Sequence, residues 1–330
     1  MSFSSSKPTI LVTRTLPSQA QQRLESLSDK VIIKQHNSVN SISRQELLNS
    51  VKDIDGLICL LSDKVDEELL QAAGPRLKVI STVSVGYDHV DIAAVKAHGV
   101  KLGYTPDVLT DATADTTVLL ALMASRRAKT ALDVVRSGKG SEFSLSTGLG
   151  TQFTDKTLGI VGFGRIGYAT AERLMPFGFN RVLYTASRAH EDRAKPFNAE
   201  HVSFETLLSS SDLVCVCCPL NDQTKGMFNT DAFALMKPGC ILVNTARGAI
   251  VNQDDLLDAL NRGLLAHAAL DVTVPEPIPC DHPLVLHPSC TILPHIGSAT
   301  EETRNAMGNL AIDNALAGVF GEPLKSEVQL

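Results

Sequence analysis

Leu158-Gly159-Ile160-Val161-Gly162-Phe163-Gly164-Arg165-Ile166-Gly167 decides how this chain is read. Gly162, Gly164 and Gly167 form a G-x-G-x-x-G pattern. The pattern runs from a β-like stretch, Thr157 to Val161, into a helical one, Ile166 to Pro176, which is the context it requires. Each glycine then has a separate task. Gly162 permits a tight turn, Gly164 lets backbone approach a pyrophosphate, and Gly167 lets helix and strand pack closely. The helix start adds unpaired N–H groups and a positive dipole end for the phosphates. A glycine-rich structural turn is the plainer alternative, and the strand-to-helix context argues against it.

Further along, β-like runs alternate with helical patterns. Strands are expected at Arg181 to Thr185, Asp212 to Cys217, Cys240 to Asn244, Ala266 to Val272 and Cys290 to Leu293. Helices are expected at Ser203 to Ser209, Thr230 to Leu235 and Gln253 to Asn261. With the strand before the glycine loop this makes six, matching a doubly wound dinucleotide fold. The strand Arg181 to Thr185 should end where an acid would bind an adenosine ribose. Instead Ala186-Ser187-Arg188 follows, and Glu191 and Asp192 come later. A hydroxyl and a guanidinium suit a 2′-phosphate, so NADPH is expected, with NADH weaker.

Towards the N-terminus the same alternation recurs. Strands are read at Thr9 to Thr13, Val31 to Lys34, Gly56 to Leu60, Leu77 to Ser81 and Val100 to Gly103. Helices are read at Gln19 to Leu27, Arg44 to Val51, Asp66 to Ala73 and Asp91 to His98. This is a second parallel α/β unit. Asp111 to Lys129 reads as one long helix, with Leu119, Leu120, Leu122 and Met123 on a broad apolar face. A domain crossing is expected near Pro106, before it. A last helix, Ser298 to Ala317, has no strand after it and suits a return to the first domain. The expected domains are 1–106 with 299–330 for substrate, and 107–298 for dinucleotide.

The chain has 330 residues, and that length fits two domains. Its net charge of −6 leaves no basic footprint for nucleic acid or an anionic membrane. The best apolar stretch, Thr116 to Ala124, is too short to span a bilayer. Met1 to Lys7 has no apolar signal core, and the last four residues are not a Ser-Lys-Leu address; a cytoplasmic location is expected. Cys215, Cys217 and Cys218 tempt a metal reading. Strand alternation puts the first two on one face and the third on the other, so core thiols are expected and no metal. The odd count of seven cysteines suits a reducing compartment.

Three further segments place chemistry after strands. Val243-Asn244-Thr245-Ala246-Arg247-Gly248 offers an anion binder, Leu270-Asp271-Val272-Thr273-Val274-Pro275-Glu276-Pro277 a carboxylate, and Leu293-Pro294-His295-Ile296-Gly297-Ser298 a proton donor. Singly these are a surface Arg, a loop Glu and a turn His. Together they sit at strand carboxyl ends, where such sheets bind ligands.

These motifs, in this order, resemble those of the D-2-hydroxyacid dehydrogenase family. The likeness includes Ser84-Val85-Gly86-Tyr87-Asp88 and Thr105-Pro106-Asp107-Val108-Leu109-Thr110. Leu60-Leu61-Ser62-Asp63 and Gly321-Glu322-Pro323 look most like the glyoxylate reductase/hydroxypyruvate reductase branch. The resemblance implies two Rossmann-like and flavodoxin-like parallel-sheet domains with the active site in the cleft between them. It implies reduction of small 2-keto acids to 2-hydroxy acids. Arg247 would hold the substrate carboxylate, His295 would protonate the keto oxygen, and Glu276 would hydrogen-bond His295 and favour its imidazolium. Backbone N–H groups of Val85 and Gly86 would grip the carboxylate, and Ser298 would sit beside His295. The implied cofactor contacts are Gly162, Gly164, Arg165, Ile166, Gly167, Ser187, Arg188, Pro219 and Thr245, with Asp271 at the nicotinamide end. A homodimer built through the long-helix region is implied as well. The chain departs from related reductases in having no Trp: where a partner subunit can supply one, the stretch Ser141 to Ser146 offers only Phe143. The alternatives are another D-2-hydroxyacid dehydrogenase, or a dinucleotide-sensing binding protein on the same fold.

Overall fold

A computed structural model describes residues 7–138, 140 and 144–330. Phe143, the residue compared with a partner tryptophan, lies outside them. The chain forms two compact units. One runs up to Leu109 and is resumed by Ala299–Leu330; the other is Thr110–Ser298.

The first unit is a parallel sheet of β1 (Thr9–Val12), β2 (Ile32–Gln35), β3 (Gly56–Cys59), β4 (Val79–Thr82) and β5 (Lys101–Gly103), in the order β2-β1-β3-β4-β5. Every residue of β1, β3 and β4 is buried, as a parallel sheet covered on both faces requires. Leu11, Leu57, Cys59 and Ile80 pack to one side, and Ile10, Val12, Ile58 and Val79 to the other. The helix Glu301–Phe320 lays Ala311, Ile312, Ala315 and Val319 on the second side. Its close approach needs Gly318, where an added Cβ would stand 2.4 Å from that of Val79.

The second unit is a parallel sheet of β6 (Thr157–Val161), β7 (Arg181–Thr185), β8 (Glu200–His201), β9 (Leu213–Val216), β10 (Cys240–Asn244), β11 (Leu265–Leu270) and β12 (Cys290–Ile292). Their order is β12-β11-β10-β9-β6-β7-β8, the doubly wound arrangement of dinucleotide folds. The order reverses at β6 and β9, so the crevice there opens beside the glycine loop. Seven strands stand where six were expected, because β8 is two exposed residues at an edge and carries no hydrophobic alternation.

The long helix also differs from expectation. It is two helices, Thr110–Ser125 and Ala128–Arg136, broken where Arg127 adopts a left-handed φ of 50°. Neither Gly nor Pro marks that break. The apolar face is narrower than expected: Leu120, Ala121 and Ala124 are buried, but Leu119 is largely solvent-facing. Short helices at Glu191–Ala194 and Pro283–Leu286 had no legible pattern.

Cys215 and Cys217 pack on one side of the sheet and Cys218 on the other. Burial pushes their thiols up, Cys217 to about 12 and Cys218 to about 11, so they behave as small apolar side chains. No helix among the described residues is long and apolar enough to cross a membrane.

Candidate active site

All strands of the second sheet are parallel, so their carboxyl ends share one rim. The loop after β6 makes its turn at Gly162, with φ 94°, where a Cβ would stand 2.5 Å from the Cys218 nitrogen. Gly167 lies against the loop itself; a Cβ there would come within 2.1 Å of the Gly162 oxygen. At Gly164 an added Cβ would meet nothing within 4 Å, and this residue opens the helix Arg165–Leu174. The loop is thus closed on its inner side and open at its middle glycine, a cradle that fits a dinucleotide pyrophosphate. Arg165 and Ile166 form the first helical residues behind it.

After β7, Ser187 and Arg188 are exposed, and Glu191 and Asp192 belong to the following short helix rather than the strand end. Pro219 follows β9, and its carbonyl accepts a hydrogen bond from the Thr224 hydroxyl at 2.7 Å. Thr245 is buried after β10, its hydroxyl 2.8 Å from that of Thr117.

Arg247 is presented by a turn that Asn244 shapes. The buried Asn244 amide accepts from the Ala246 N–H at 3.0 Å and donates to the Arg247 carbonyl at 2.9 Å. An amide does this with separate atoms, its oxygen accepting and its nitrogen donating. The sequence reading passed over Asn244, although an Asn two residues before a tight backbone N–H contact is a known turn signal.

Asp271, directly after β11, joins the neighbouring strand ends. Its N–H donates to the Asn244 carbonyl at 2.9 Å, and its own carbonyl accepts from the His295 N–H at 2.8 Å. Its carboxylate accepts from Ile296 N–H at 2.8 Å and Gly297 N–H at 2.7 Å. Burial pushes this carboxyl above its usual range, against the pull of those two N–H groups and of His295. These bonds hold His295 in a left-handed conformation, φ 54°.

His295 Nδ1 lies 2.8 Å from Glu276 Oε2, and the other oxygen of Glu276 accepts from the Thr273 N–H at 2.9 Å. Partial burial opposes the Glu276 charge, yet the His295 hydrogen bond and charge, the Thr273 N–H and the Arg247 charge together hold it below the usual range. Ser298 follows, half-buried. Arg247, Glu276, His295 and the cofactor-loop residues therefore share one rim of one unit. Val85 and Gly86 belong to the other unit, in the loop after β4, where the Ser84 hydroxyl donates to the Gly86 carbonyl at 2.6 Å.

Residues 118–297 match the family described as "D-isomer specific 2-hydroxyacid dehydrogenase, NAD binding domain". The chain belongs to this family. It is an NAD(P)-dependent oxidoreductase with a nicotinamide-dinucleotide domain. It is 46% identical over 321 residues to the human glyoxylate reductase/hydroxypyruvate reductase, covering 97% of this chain and 98% of the relative. A solved Thermus thermophilus protein superposes with a TM-score of 0.89 at 40% identity, covering 97% of this chain and all of that one. The NADPH-dependent glyoxylate/hydroxypyruvate reductase of Sinorhizobium meliloti, solved with NADP and malonate, gives a TM-score of 0.83 at 29% identity, with 98% and 97% covered.

The lowered Glu276 carboxyl has a consequence for stability. What its charge contributes is present above the ordinary carboxylate range and is lost as pH falls through the lowered value. Glu276→Gln should be less stable than wild type at neutral pH, with the gap closing on acidification. Urea unfolding at stepped pH checks this; a gap that stays constant with pH would show that the Glu276 charge contributes nothing.

Proposed function

We propose that this enzyme reduces glyoxylate to glycolate and hydroxypyruvate to D-glycerate, with NADPH as the preferred cofactor. The observation that carries the reading is the 2.8 Å pairing of His295 with Glu276 on the rim that also bears Arg247. The relatives named above support the substrate class. When bound, the dinucleotide supplies a hydride to the keto carbon.

The chain's own residues do the rest. Arg247 holds the substrate carboxylate, for which a guanidinium offers two parallel N–H donors. Val85 and Gly86 are proposed as backbone donors to a substrate carboxylate, with the first unit as the substrate domain and the second as the dinucleotide domain. Hydride addition builds negative charge on the keto oxygen, and His295 removes it. With Nδ1–H committed to Glu276, the proton must leave from Nε2 of a doubly protonated ring. Asp271 fixes the loop that aims this ring, and Ser298 flanks it.

A positioned general acid is typically worth about 10²–10⁴ in rate. His295→Gln should lose that much hydroxypyruvate turnover while binding NADPH normally. Steady-state assay beside cofactor titration decides it, and near-normal turnover would remove His295 from the role.

For the cofactor, β7 ends without a carboxylate to repel a 2′-phosphate, and Arg188 supplies attraction. A charge-assisted bond is worth about 1.5–3 kcal/mol before solvent screening, which trims it at an exposed residue. Arg188→Ala should weaken NADPH about tenfold and leave NADH near its wild-type Kd. Equal weakening of both would return Arg188 to the status of a solvated loop residue.

We also propose a homodimer through the helix Ala128–Arg136. It buries none of its residues within the chain, and Leu132 and Val135 are 46% and 75% exposed. Light scattering should give twice the chain mass for wild type and a shift towards monomer for Val135→Asp; a monomeric wild type refutes it.

A further inference from the structure

Four basic side chains gather near the carboxyl end of β7, and the reading above uses only one. Tyr184 of β7 is buried at the centre of this region. Its ring stacks on Phe163 of the glycine loop, centroids 4.3 Å apart, and on His201 of β8, 5.1 Å apart. Its hydroxyl accepts the backbone N–H of His190 at 2.9 Å. Arg193, from the helix Glu191–Ala194, turns back to donate to the Phe163 carbonyl at 3.4 Å. His201 Nε2 lies 3.2 Å from the Ala186 carbonyl. The glycine loop, the end of β7, the short helix and β8 are thus tied together, and Arg188, His190, Arg193 and His201 surround the tie.

These cations feel one another. Burial first, then the charges of Arg193, Arg188 and His201, hold the His190 imidazole below its usual range. Among the described residues no carboxylate forms an ion pair with Arg188, His190 or Arg193. The nearby acids in sequence, Glu191 and Asp192, are exposed on the helix turn. Like charges collected without a counterion repel, and an oxyanion placed among them relieves that cost.

We propose that His190 and Arg193 complete the pocket for the ribose 2′-phosphate of NADPH, and that His190 takes up a solvent proton as the phosphate binds. The proposal rests on the NADPH reading and adds a pH dependence that NADH does not share. With no phosphate present, His190 is a fourth cation in a crowded patch and sheds its proton. With a phosphate dianion beside it, the proton adds to the free ring nitrogen and becomes part of a charge-assisted bond. NADPH affinity then strengthens as pH falls, until the phosphate itself protonates near its second pKa of about 6. The charged groups facing His190 are Arg188, Arg193 and His201, and a His201 variant separates that ring's contribution.

The test is binding by calorimetry and nucleotide fluorescence, for NADPH and NADH, from about pH 8 to about pH 6. Repeating the calorimetry in two buffers of different ionisation enthalpy counts protons taken up. A one-unit rise in proton affinity on binding corresponds to about tenfold in Kd. Wild type should bind NADPH about three- to tenfold more tightly at the acid end, with proton uptake, while NADH stays nearly flat. His190→Gln should lose the uptake and the slope, His201→Gln should keep both, and Arg193→Gln should weaken NADPH throughout while keeping the slope. Unchanged NADH affinity in each variant shows that the fold is intact. Proton uptake undiminished in His190→Gln, or an equal slope for NADH, overturns the proposal alone. A wild type with no preference for NADPH at any pH overturns the proposal and the cofactor reading together.

Discussion

A single buried carboxylate ties together the loops on which the chemistry depends. Asp271 is almost fully enclosed, and a charge there is costly unless donors meet it. Two backbone N–H groups, from Ile296 and Gly297, do so at hydrogen-bond distance. Those donors belong to the loop that carries His295, while the Asp271 backbone bonds to Asn244 on one side and His295 on the other. The strand ends that bear Arg247 and His295 are therefore referenced to the same residue. A group that satisfied its charge through water instead would leave the His295 loop free to relax out of its left-handed turn, a conformation that a non-glycine residue keeps only when its surroundings enforce it.

Parallel register is the second constraint. Because every strand of the dinucleotide sheet points the same way, a residue placed just after a strand is delivered to the rim whatever the length of the helix before it. That is why the glycine loop, Arg247, Asp271 and His295 could be located from sequence. Each follows a continuous apolar run whose end is easy to read. Gly162 and Gly167 were legible for a stronger reason: one has a positive φ and the other touches backbone, so no other residue type serves.

What was not legible lacks that kind of determinism. The edge strand Glu200–His201 is exposed on both residues, so no burial pattern exists to be read. The break at Arg127 is a left-handed residue with neither Gly nor Pro to mark it in the sequence. Leu119 belongs to an apolar run, yet only tertiary structure tells which of its neighbours turn inward. Asn244 shapes its turn through bonds to Ala246 and Arg247, a local signal, whereas the cations around Tyr184 are brought together by the stacking of β7, β8 and the glycine loop, which no local pattern reports. Asp271 was visible as an acid just after a strand, but its bonds to Ile296 and Gly297 were not, since they depend on how β11 and β12 align.

Charge placement follows the same logic as backbone placement. The chain carries a net −6, yet its expected ligands, a keto acid and a dinucleotide, are anions. Long-range attraction therefore cannot recruit them, and the rim must do so locally. It does this by consuming its own acids internally. Asp271 is met by N–H groups, and Glu276 is met by His295 and the Thr273 N–H, so neither carboxylate faces a ligand unpaired. Beside these paired acids the rim carries the open backbone at Gly164, the half-buried Arg247 and the exposed Arg188. At an ionic strength near 0.15 M, charges more than about 8 Å away are largely screened, so a few near cations outweigh many distant acids. Surface acidity and anion binding are thus compatible, provided each acid on the rim is neutralised by a partner built into the fold.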